Sequence, residues 1–209
     1  MLRFLRTTRH WKSYWKNRKI NWKTSYSDTW NHPHRYMICW VLKKFPWKSL
    51  IEIGCGSGAN LIQIVLQFKN IQIGGVDINE DAIDLAKETF KGGIFKVSSG
   101  EDMMFSDDMT DVVLTDRMLI YVDPLKINNY LQEIKRITRH YIVLCEFYEK
   151  SFWKRILLWQ RTGYWAYDYI KLLHKHGFYE VILYKIPKEL WPDDTYPSYI
   201  ITAKVPNRK

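Results

Sequence analysis

The chain has 209 residues, of which 46% are hydrophobic, 16% aromatic and 26% charged. This composition predicts a folded globular domain and excludes disordered and collagen-like chains. No run of about 18 apolar residues occurs, so the sequence predicts no membrane-spanning helix. The formal net charge is +10, a value typical of proteins that bind nucleic acids or membrane surfaces.

The positive charge is concentrated at the N-terminus. Residues 1–27 hold eight basic residues and no acidic one, whereas the remaining 182 residues hold 24 basic and 22 acidic ones. Such a segment is typical of an arm that binds RNA or a membrane surface, or that directs import. Its aromatic residues indicate packing instead: Trp11, Tyr14, Trp15, Trp22 and Tyr26. We expect residues 1–48 to form a basic, aromatic and partly helical extension that acts as a lid.

After the arm, the pattern predicts a helix over 33–44 and then strands alternating with helices. No helix separates the last two strands, because Pro187 and Pro192 interrupt that segment, so these strands should pair antiparallel. The alternation predicts an α/β fold, a mostly parallel sheet with helices on both faces. The predicted strands are 49–53, 71–76, 93–97, 111–115, 141–145, 179–184 and 199–203, and the predicted helices are 60–68, 79–90, 127–137 and 167–176.

The residues that indicate chemistry lie between 49 and 77. The first strand runs into Gly54, Gly56 and Gly58, and glycines there let a cofactor approach the backbone closely. Asp77 ends the next strand, at a spacing from the glycines where a carboxylate accepts hydrogen bonds from both ribose hydroxyls. Glu52 would repel a pyrophosphate but suits the cationic amino-acid end of S-adenosylmethionine. The motif therefore favours this cofactor over a dinucleotide.

At these residues the sequence resembles the class I S-adenosylmethionine-dependent methyltransferases. Residues 52–58 (EIGCGSG) resemble motif I, and residues 75–78 (GVDI) resemble the second motif. The resemblance implies that Asp77 holds the ribose and that Ile78 packs on the adenine. It covers about residues 49–204, and it implies an enzyme whose Rossmann-like domain spans 49–209, with seven strands and the last one reversed beside the fifth.

Two further segments resemble the family's motifs but depart from them. Residues 98–105 resemble the segment at the adenine edge, where the family often has Asp and this chain has Ser99. The resemblance then implies that Glu101 or Asp102, in place of such an Asp, contacts the adenine. Residues 111–122 resemble the fourth strand and its loop, where many relatives carry a His at the position of Tyr121. A mechanism that uses such a His is therefore not expected here.

Three residues are candidates for catalysis. Asp116 ends the fourth strand and could contact the cofactor's methionine end, act as a base, or cap the loop. Tyr121 could line the methyl site or only pack. His34 could act as a base beside Arg35, which could pair with the cofactor carboxylate, or the residue could cap and pack. Glu146, after the fifth strand, is expected to be an exposed acid.

No metal site is expected, because the histidines lack acidic or cysteine neighbours in sequence and the three cysteines lie far apart. The cysteine usage suits a reducing cytoplasm, and the arm lacks the apolar core of a secretory signal, so we expect a cytoplasmic protein.

The expected activity is methyl transfer to an O or N atom of a small molecule, because the loops after the strands are short. Aromatic side chains could wall the acceptor pocket: Trp30, Tyr36, Tyr121, Tyr148 and Trp153. RNA is the alternative acceptor, since the arm of residues 1–27 interleaves basic and aromatic residues. A third possibility is a non-catalytic subunit that binds S-adenosylmethionine. The sequence leaves the acceptor and the oligomeric state open.

Overall fold

A seven-stranded sheet forms the centre of the protein. The structure, a computed structural model, describes residues 8–191 and 196–206. The strand order is β3-β2-β1-β4-β5-β7-β6. Four neighbouring pairs are parallel, and β7 runs antiparallel to both β5 and β6. The strands are β1 Ser49–Ile53, β2 Gln72–Asp77, β3 Ile94–Val97, β4 Thr110–Asp116, β5 Thr138–Phe147, β6 Tyr179–Lys185 and β7 Ser198–Lys204. This confirms the predicted Rossmann-like sheet and its reversed last strand.

Eight α-helices accompany the sheet within the described residues. Their starts follow from local capping: the Asn79 side chain accepts from the amide of Ala82, the Ser151 side chain accepts from the amide of Lys154, and Pro33 opens its helix. The helices are α1 Thr8–Lys16, α2 Trp22–Ser25, α3 Pro33–Leu42, α4 Ala59–Gln67, α5 Glu80–Thr89, α6 Ile127–Ile137, α7 Phe152–Thr162 and α8 Tyr169–Lys175. Helix α7 was not predicted.

Short 3₁₀ turns occur at Ser27–Thr29, Leu119–Tyr121 and Lys188–Leu190. Among the described residues, none of the helices combines the length and the apolar character needed to cross a membrane.

The core lies on both faces of the sheet. All five residues of β1 are buried, as expected for a central parallel strand covered on each side. On one face Ile51 packs in a cluster with Leu131 of α6 and Leu173 of α8. On the other face Leu50 packs with Ile38 of α3, Leu61 of α4 and Ile83 of α5. The two clusters fix the carboxyl ends of β1, β2 and β4 relative to one another.

The described part of the N-terminal arm packs over these strand ends. The Ser57 hydroxyl, in the glycine turn, donates to the carbonyl of Trp22 at 3.0 Å. The Trp11 indole donates to the carbonyl of Gly163 at 3.0 Å. The Asn79 side-chain amide donates to the carbonyls of Trp15 and Arg18, each at 2.9 Å. The arm therefore joins the glycine turn, the start of α5 and the end of α7.

Candidate functional site

A cleft of about 1090 Å³, counted to its open mouth, lies at the carboxyl ends of β1, β2 and β4. The strand order reverses between β1 and β4, and ligands of such sheets bind at this switch point. The floor comes from the turn after β1 and from the ends of β2 and β4. The opposite wall comes from the arm, through Trp11, Trp15, Trp22 and Tyr26.

Seven of the sequence-predicted site residues line this cleft: Glu52, Gly54, Gly56, Asp77, Ile78, Asp116 and Tyr121. The other four lie outside its lining. His34 is buried behind Asp116, and Gly58 begins α4 with φ +88°. Glu101 pairs with lysines, with its Oε2 3.0 Å from Lys126 Nζ, and Asp102 is exposed. At the adenine-edge segment the residues that line the cleft are Ser98, Ser99 and Gly100.

The turn after β1 requires glycine at its first position. Gly54 has φ +74°, and a Cβ built there would lie 2.4 Å from Cγ of Met118. The next glycine of the motif, Gly56, has φ +51° and donates its amide to Oδ2 of Asp77 at 2.8 Å. The glycine turn therefore lies close against Met118, in the loop after β4, without a side chain of its own at Gly54. Through the Gly56 amide it also holds the carboxylate of Asp77.

The Asp77 carboxylate is oriented by the backbone on both sides. Its Oδ2 accepts from Gly56, and its Oδ1 accepts from the amide of Asn79 at 2.9 Å. Burial raises the pKa of Asp77, and the two backbone hydrogen bonds oppose that rise. Each oxygen keeps acceptor capacity on the cleft side, so the group can accept from a pair of neighbouring hydroxyls.

A buried polar cluster lies at the β1 and β4 ends of the cleft. The Asn60 side-chain amide donates to Glu52 Oε1 at 2.6 Å and to Asp116 Oδ2 at 3.0 Å. His34 Nε2 lies 2.9 Å from the same Asp116 oxygen, and His34 Nδ1 lies 2.6 Å from Nδ1 of His32. Asn60 was not predicted as a site residue, although it lies in the first turn of α4, two positions after Gly58.

The two carboxylates of this cluster differ in their proton affinity. Burial raises the pKa of Glu52 well above its usual range, although the Asn60 hydrogen bond opposes this. Burial alone would also raise the pKa of Asp116, but the charge and hydrogen bond of His34 hold it well below its usual range. Asp116 therefore favours its ionised form, while a cation beside Glu52 would favour loss of the proton from that carboxyl.

Several polar atoms of cleft residues are buried and have no hydrogen-bond partner within the described part of the chain, among them the indole nitrogens of Trp15 and Trp22 and a set of four atoms at the polar end of the cleft. Three of these four can accept, namely Glu52 Oε2, Asn60 Oδ1 and Asp116 Oδ1, and the fourth is the donor Nε of Arg35. Buried polar atoms left unpaired cost free energy, and such a set indicates a missing ligand. An α-amino acid group would satisfy them, because its ammonium donates three hydrogen bonds and its carboxylate accepts from a guanidinium.

Aromatic rings form the other end of the cleft. The ring centroids of Tyr121 lie 5.0 Å from Trp11 and 5.4 Å from Trp15. Burial raises the pKa of Tyr121 far above its usual range, so the phenol keeps its proton at neutral pH. Of the aromatic residues expected to wall a pocket, only Tyr121 does so in the described residues. Trp11 and Trp15 were predicted to be packing residues, not part of this wall.

Glu146 corrects one expectation. It is fully buried, not exposed at the rim. Its Oε1 accepts from the Thr115 hydroxyl at 2.8 Å and from the amides of Met118 and Leu119 at 3.1 and 3.0 Å. Burial raises the pKa of Glu146 to about 7. The reason is that β5 extends to Phe147, so Glu146 lies within the sheet beside the end of β4 and fixes the loop that carries Met118 and Tyr121.

Comparisons with known proteins agree with this architecture. Residues 50–140 match the sequence model of a family described as methyltransferase domain. The magnesium protoporphyrin IX methyltransferase of Synechocystis, solved with bound SAM, has a TM-score of 0.67 at 13% identity, over 99% of this chain and 100% of that chain. A putative methyltransferase of Haloferax volcanii, solved with a methyltransferase activator, has a TM-score of 0.65 at 18% identity, over 85% of this chain and 91% of that chain.

A phosphoethanolamine N-methyltransferase of Haemonchus contortus, in complex with phosphomonomethylethanolamine and S-adenosylhomocysteine, has a TM-score of 0.70 at 12% identity, over 94% of this chain and 60% of that chain. No protein of curated function was found to match the sequence.

The sheet order and the cleft at its switch point are those of a Rossmann-like methyltransferase fold. Residues 50–140 match the model of a methyltransferase domain, and the fold is that of solved methyltransferases, one of them with bound SAM. This confirms the family that the motifs indicated. The cofactor of the family is S-adenosylmethionine, as predicted.

Proposed function

We propose that this protein is an enzyme that transfers the methyl group of S-adenosylmethionine to an O or N atom of a small-molecule acceptor. The observation that carries the proposal is the set of four buried, unpartnered atoms on Glu52, Asn60, Asp116 and Arg35. These atoms match the amino-acid end of the cofactor in charge and in hydrogen-bonding sense.

The remaining cleft residues suit the nucleoside end. Asp77 would accept from the ribose hydroxyls, since the backbone already orients both of its oxygens. Ile78 and the segment Ser98 to Gly100 would lie against the adenine. Glu101 and Asp102 do not line the cleft, so they would influence adenine binding only through the conformation of the segment Ser98 to Gly100.

When bound, S-adenosylmethionine supplies a methyl group on a sulfonium, which an acceptor lone pair displaces in line, so alignment provides most of the rate. Trp11, Trp15 and Tyr121 would position the acceptor and exclude water from the sulfonium side of the cleft. Tyr121 would donate a hydrogen bond, because its phenol stays protonated.

Asp116 has too low a proton affinity to be an effective general base. We therefore assign it to the cofactor's ammonium group, and we assign His34 to holding Asp116 in place. An amine lone pair or an acceptor that is already ionised needs no base from the protein.

The packing of the arm favours a small acceptor over RNA. Trp11 and Trp22 are buried, and Trp15 and Tyr26 line the cleft, so these rings face the protein interior. Base stacking on single-stranded RNA needs exposed rings. The arm also narrows the mouth through which an acceptor enters.

Isothermal titration with S-adenosylmethionine tests the cofactor site. The wild type should bind, and Asp77→Asn should weaken binding by about tenfold to a hundredfold, the range for hydrogen bonds to a charged group. Asp84→Asn is the matched control, since this aspartate is exposed on α5, and its affinity should equal that of the wild type. Wild-type protein that gives no binding, or Asp77→Asn with unchanged affinity, would contradict the assignment.

A labelling experiment tests the acceptor. Cell extract incubated with the protein and methyl-labelled S-adenosylmethionine is separated into RNA, protein and small-molecule fractions. Label in the small-molecule fraction supports the proposal, and label in RNA alone shows that the acceptor was wrongly assigned. Cofactor binding without label in any fraction would favour the non-catalytic subunit.

A further inference from the structure

Helix α7 exposes an unusual amount of apolar surface. Phe152 is 56% exposed, Trp153 77% and Leu157 45%, and Leu158 is the one buried residue of this helix. Trp153 and Leu157 are four residues apart, so they share one face of the helix, and Phe152 lies beside them. Contiguous exposed apolar side chains of this size usually mark an interaction site.

The same helix is basic. It contains Lys154, Arg155 and Arg161 and no acidic residue. Lys154 and Arg161 are exposed. At about 100° per residue, both project from one edge of the apolar stripe, since Arg161 follows Leu157 by four positions. We call Phe152, Trp153, Lys154, Leu157 and Arg161 the α7 surface.

The α7 surface is adjacent to the basic arm. The Trp11 indole donates to the carbonyl of Gly163, the residue that ends α7, and the Trp11 and Tyr164 rings lie 5.5 Å apart. Helix α1 is thereby held at the end of α7, and the arm that contains it has eight basic residues and no acidic one over residues 1–27. Since Trp11 also lines the cleft, α1 and the end of α7 lie beside the cleft.

We propose that the α7 surface docks on an anionic lipid membrane. Phe152, Trp153 and Leu157 enter the headgroup region, while Lys154 and Arg161 contact anionic headgroups, as in interfacial amphipathic helices. The basic arm strengthens the attraction. A second copy of the chain fits poorly, because two basic surfaces would face each other. A membrane also fits better than RNA, because the aliphatic Leu157, between Trp153 and the basic edge, gives apolar surface that a membrane buries but that offers a base no stacking platform.

Vesicle co-sedimentation of the full chain tests this proposal. The protein should sediment with vesicles in which a third of the lipid is phosphatidylglycerol and the rest phosphatidylcholine, and it should not sediment with pure phosphatidylcholine. High salt should weaken the binding. The double variant Trp153→Ser, Leu157→Ser should bind at least about tenfold more weakly, given the apolar area it removes. Lys154→Gln with Arg161→Gln should bind about thirtyfold more weakly, at about fivefold per basic residue.

Matched controls separate docking from general attraction. Leu66→Ser removes a leucine that is 53% exposed on the last turn of α4. Lys69→Gln with Lys91→Gln removes two exposed lysines elsewhere. Both controls should bind vesicles as the wild type does. All the substituted side chains are exposed, so circular dichroism and S-adenosylmethionine affinity should stay unchanged in every variant.

Several outcomes would overturn the proposal. One is absence of binding to the anionic vesicles, and another is an equal loss of binding in the controls and the α7 variants. A dimer in light scattering that Trp153→Ser, Leu157→Ser dissolves, with vesicle binding retained, would assign the surface to a second copy. Binding of a single-stranded RNA that the α7 variants abolish, with vesicle binding retained, would assign it to nucleic acid. Cofactor binding is measured separately, so failure here is distinguishable from failure of the proposed function.

Discussion

Replacing Glu146 with glutamine should stabilise the protein at alkaline pH and leave it nearly unchanged at acidic pH. Burial raises the pKa of this carboxyl from 4.5 to about 7 in the folded protein. The unfolded chain therefore releases the proton near pH 4.5, whereas the folded protein keeps it until about pH 7. Stability is consequently lost as pH rises through this window and stays lower above it. At about 1.4 kcal/mol per pKa unit, the loss is about 3 kcal/mol.

The glutamine variant removes the charge and keeps the acceptor. Its carbonyl oxygen can still accept from Thr115, Met118 and Leu119, as Glu146 Oε1 does. Denaturant unfolding followed by circular dichroism at about pH 5 and pH 8 gives the stability difference between the two conditions. That difference should be about 2.5 kcal/mol smaller in Glu146→Gln than in the wild type, because the unfolded chain has already released most of this proton at pH 5. Glu88→Gln, an exposed glutamate on α5, should behave as the wild type does. Equal pH dependence in all three proteins would refute the reasoning.

Three other substitutions test separate parts of the site. Gly54→Ala places a Cβ 2.4 Å from Met118 Cγ at a residue with positive φ, so calorimetry should show at least about tenfold weaker cofactor binding. Gly92→Ala is the control, because its new Cβ meets open space. This control should lose only about 1–2 kcal/mol of stability, for its positive φ. Trp11→Phe removes one buried hydrogen bond, and chemical denaturation should show a loss of about 1 kcal/mol; unchanged stability would contradict the packing of the arm. Tyr121→Phe should leave the shape of the pH–rate profile of methyl transfer unchanged, because burial keeps the phenol protonated, and the loss of an alkaline limb would show that this tyrosine titrates.

The sheet was predictable because its signals are local. The apolar run after Lys48 and before Gly54 gave β1 with the bounds that the structure has. Helix α7 was missed because its apolar residues surround the helix and only Leu158 is buried, so no single-faced period is visible. Its capping signals were nevertheless present, with Ser151 before the helix and Gly163 after it.

The site was predictable where one short segment supplies the chemistry. The glycine turn and Asp77 belong to adjacent strands of a known arrangement, so their meeting follows from the topology. The aromatic wall depends on how the arm packs, which no local pattern encodes, and so the role of Trp11 was not found. The burial of Glu146 depends on the length of β5, which the apolar run of the sequence underestimated.

The side chain of Asn79 joins the cofactor site to the arm. Its backbone amide donates to Asp77, and its side-chain amide donates to the carbonyls of Trp15 and Arg18. A ligand that binds Asp77 would therefore also restrict Asn79, the residue that holds the arm. Ligand binding and packing of the arm are then linked by one coupling free energy. By thermodynamic reciprocity, if the bound cofactor raises the equilibrium constant for packing of the arm by some factor, the packed arm raises the affinity for the cofactor by the same factor.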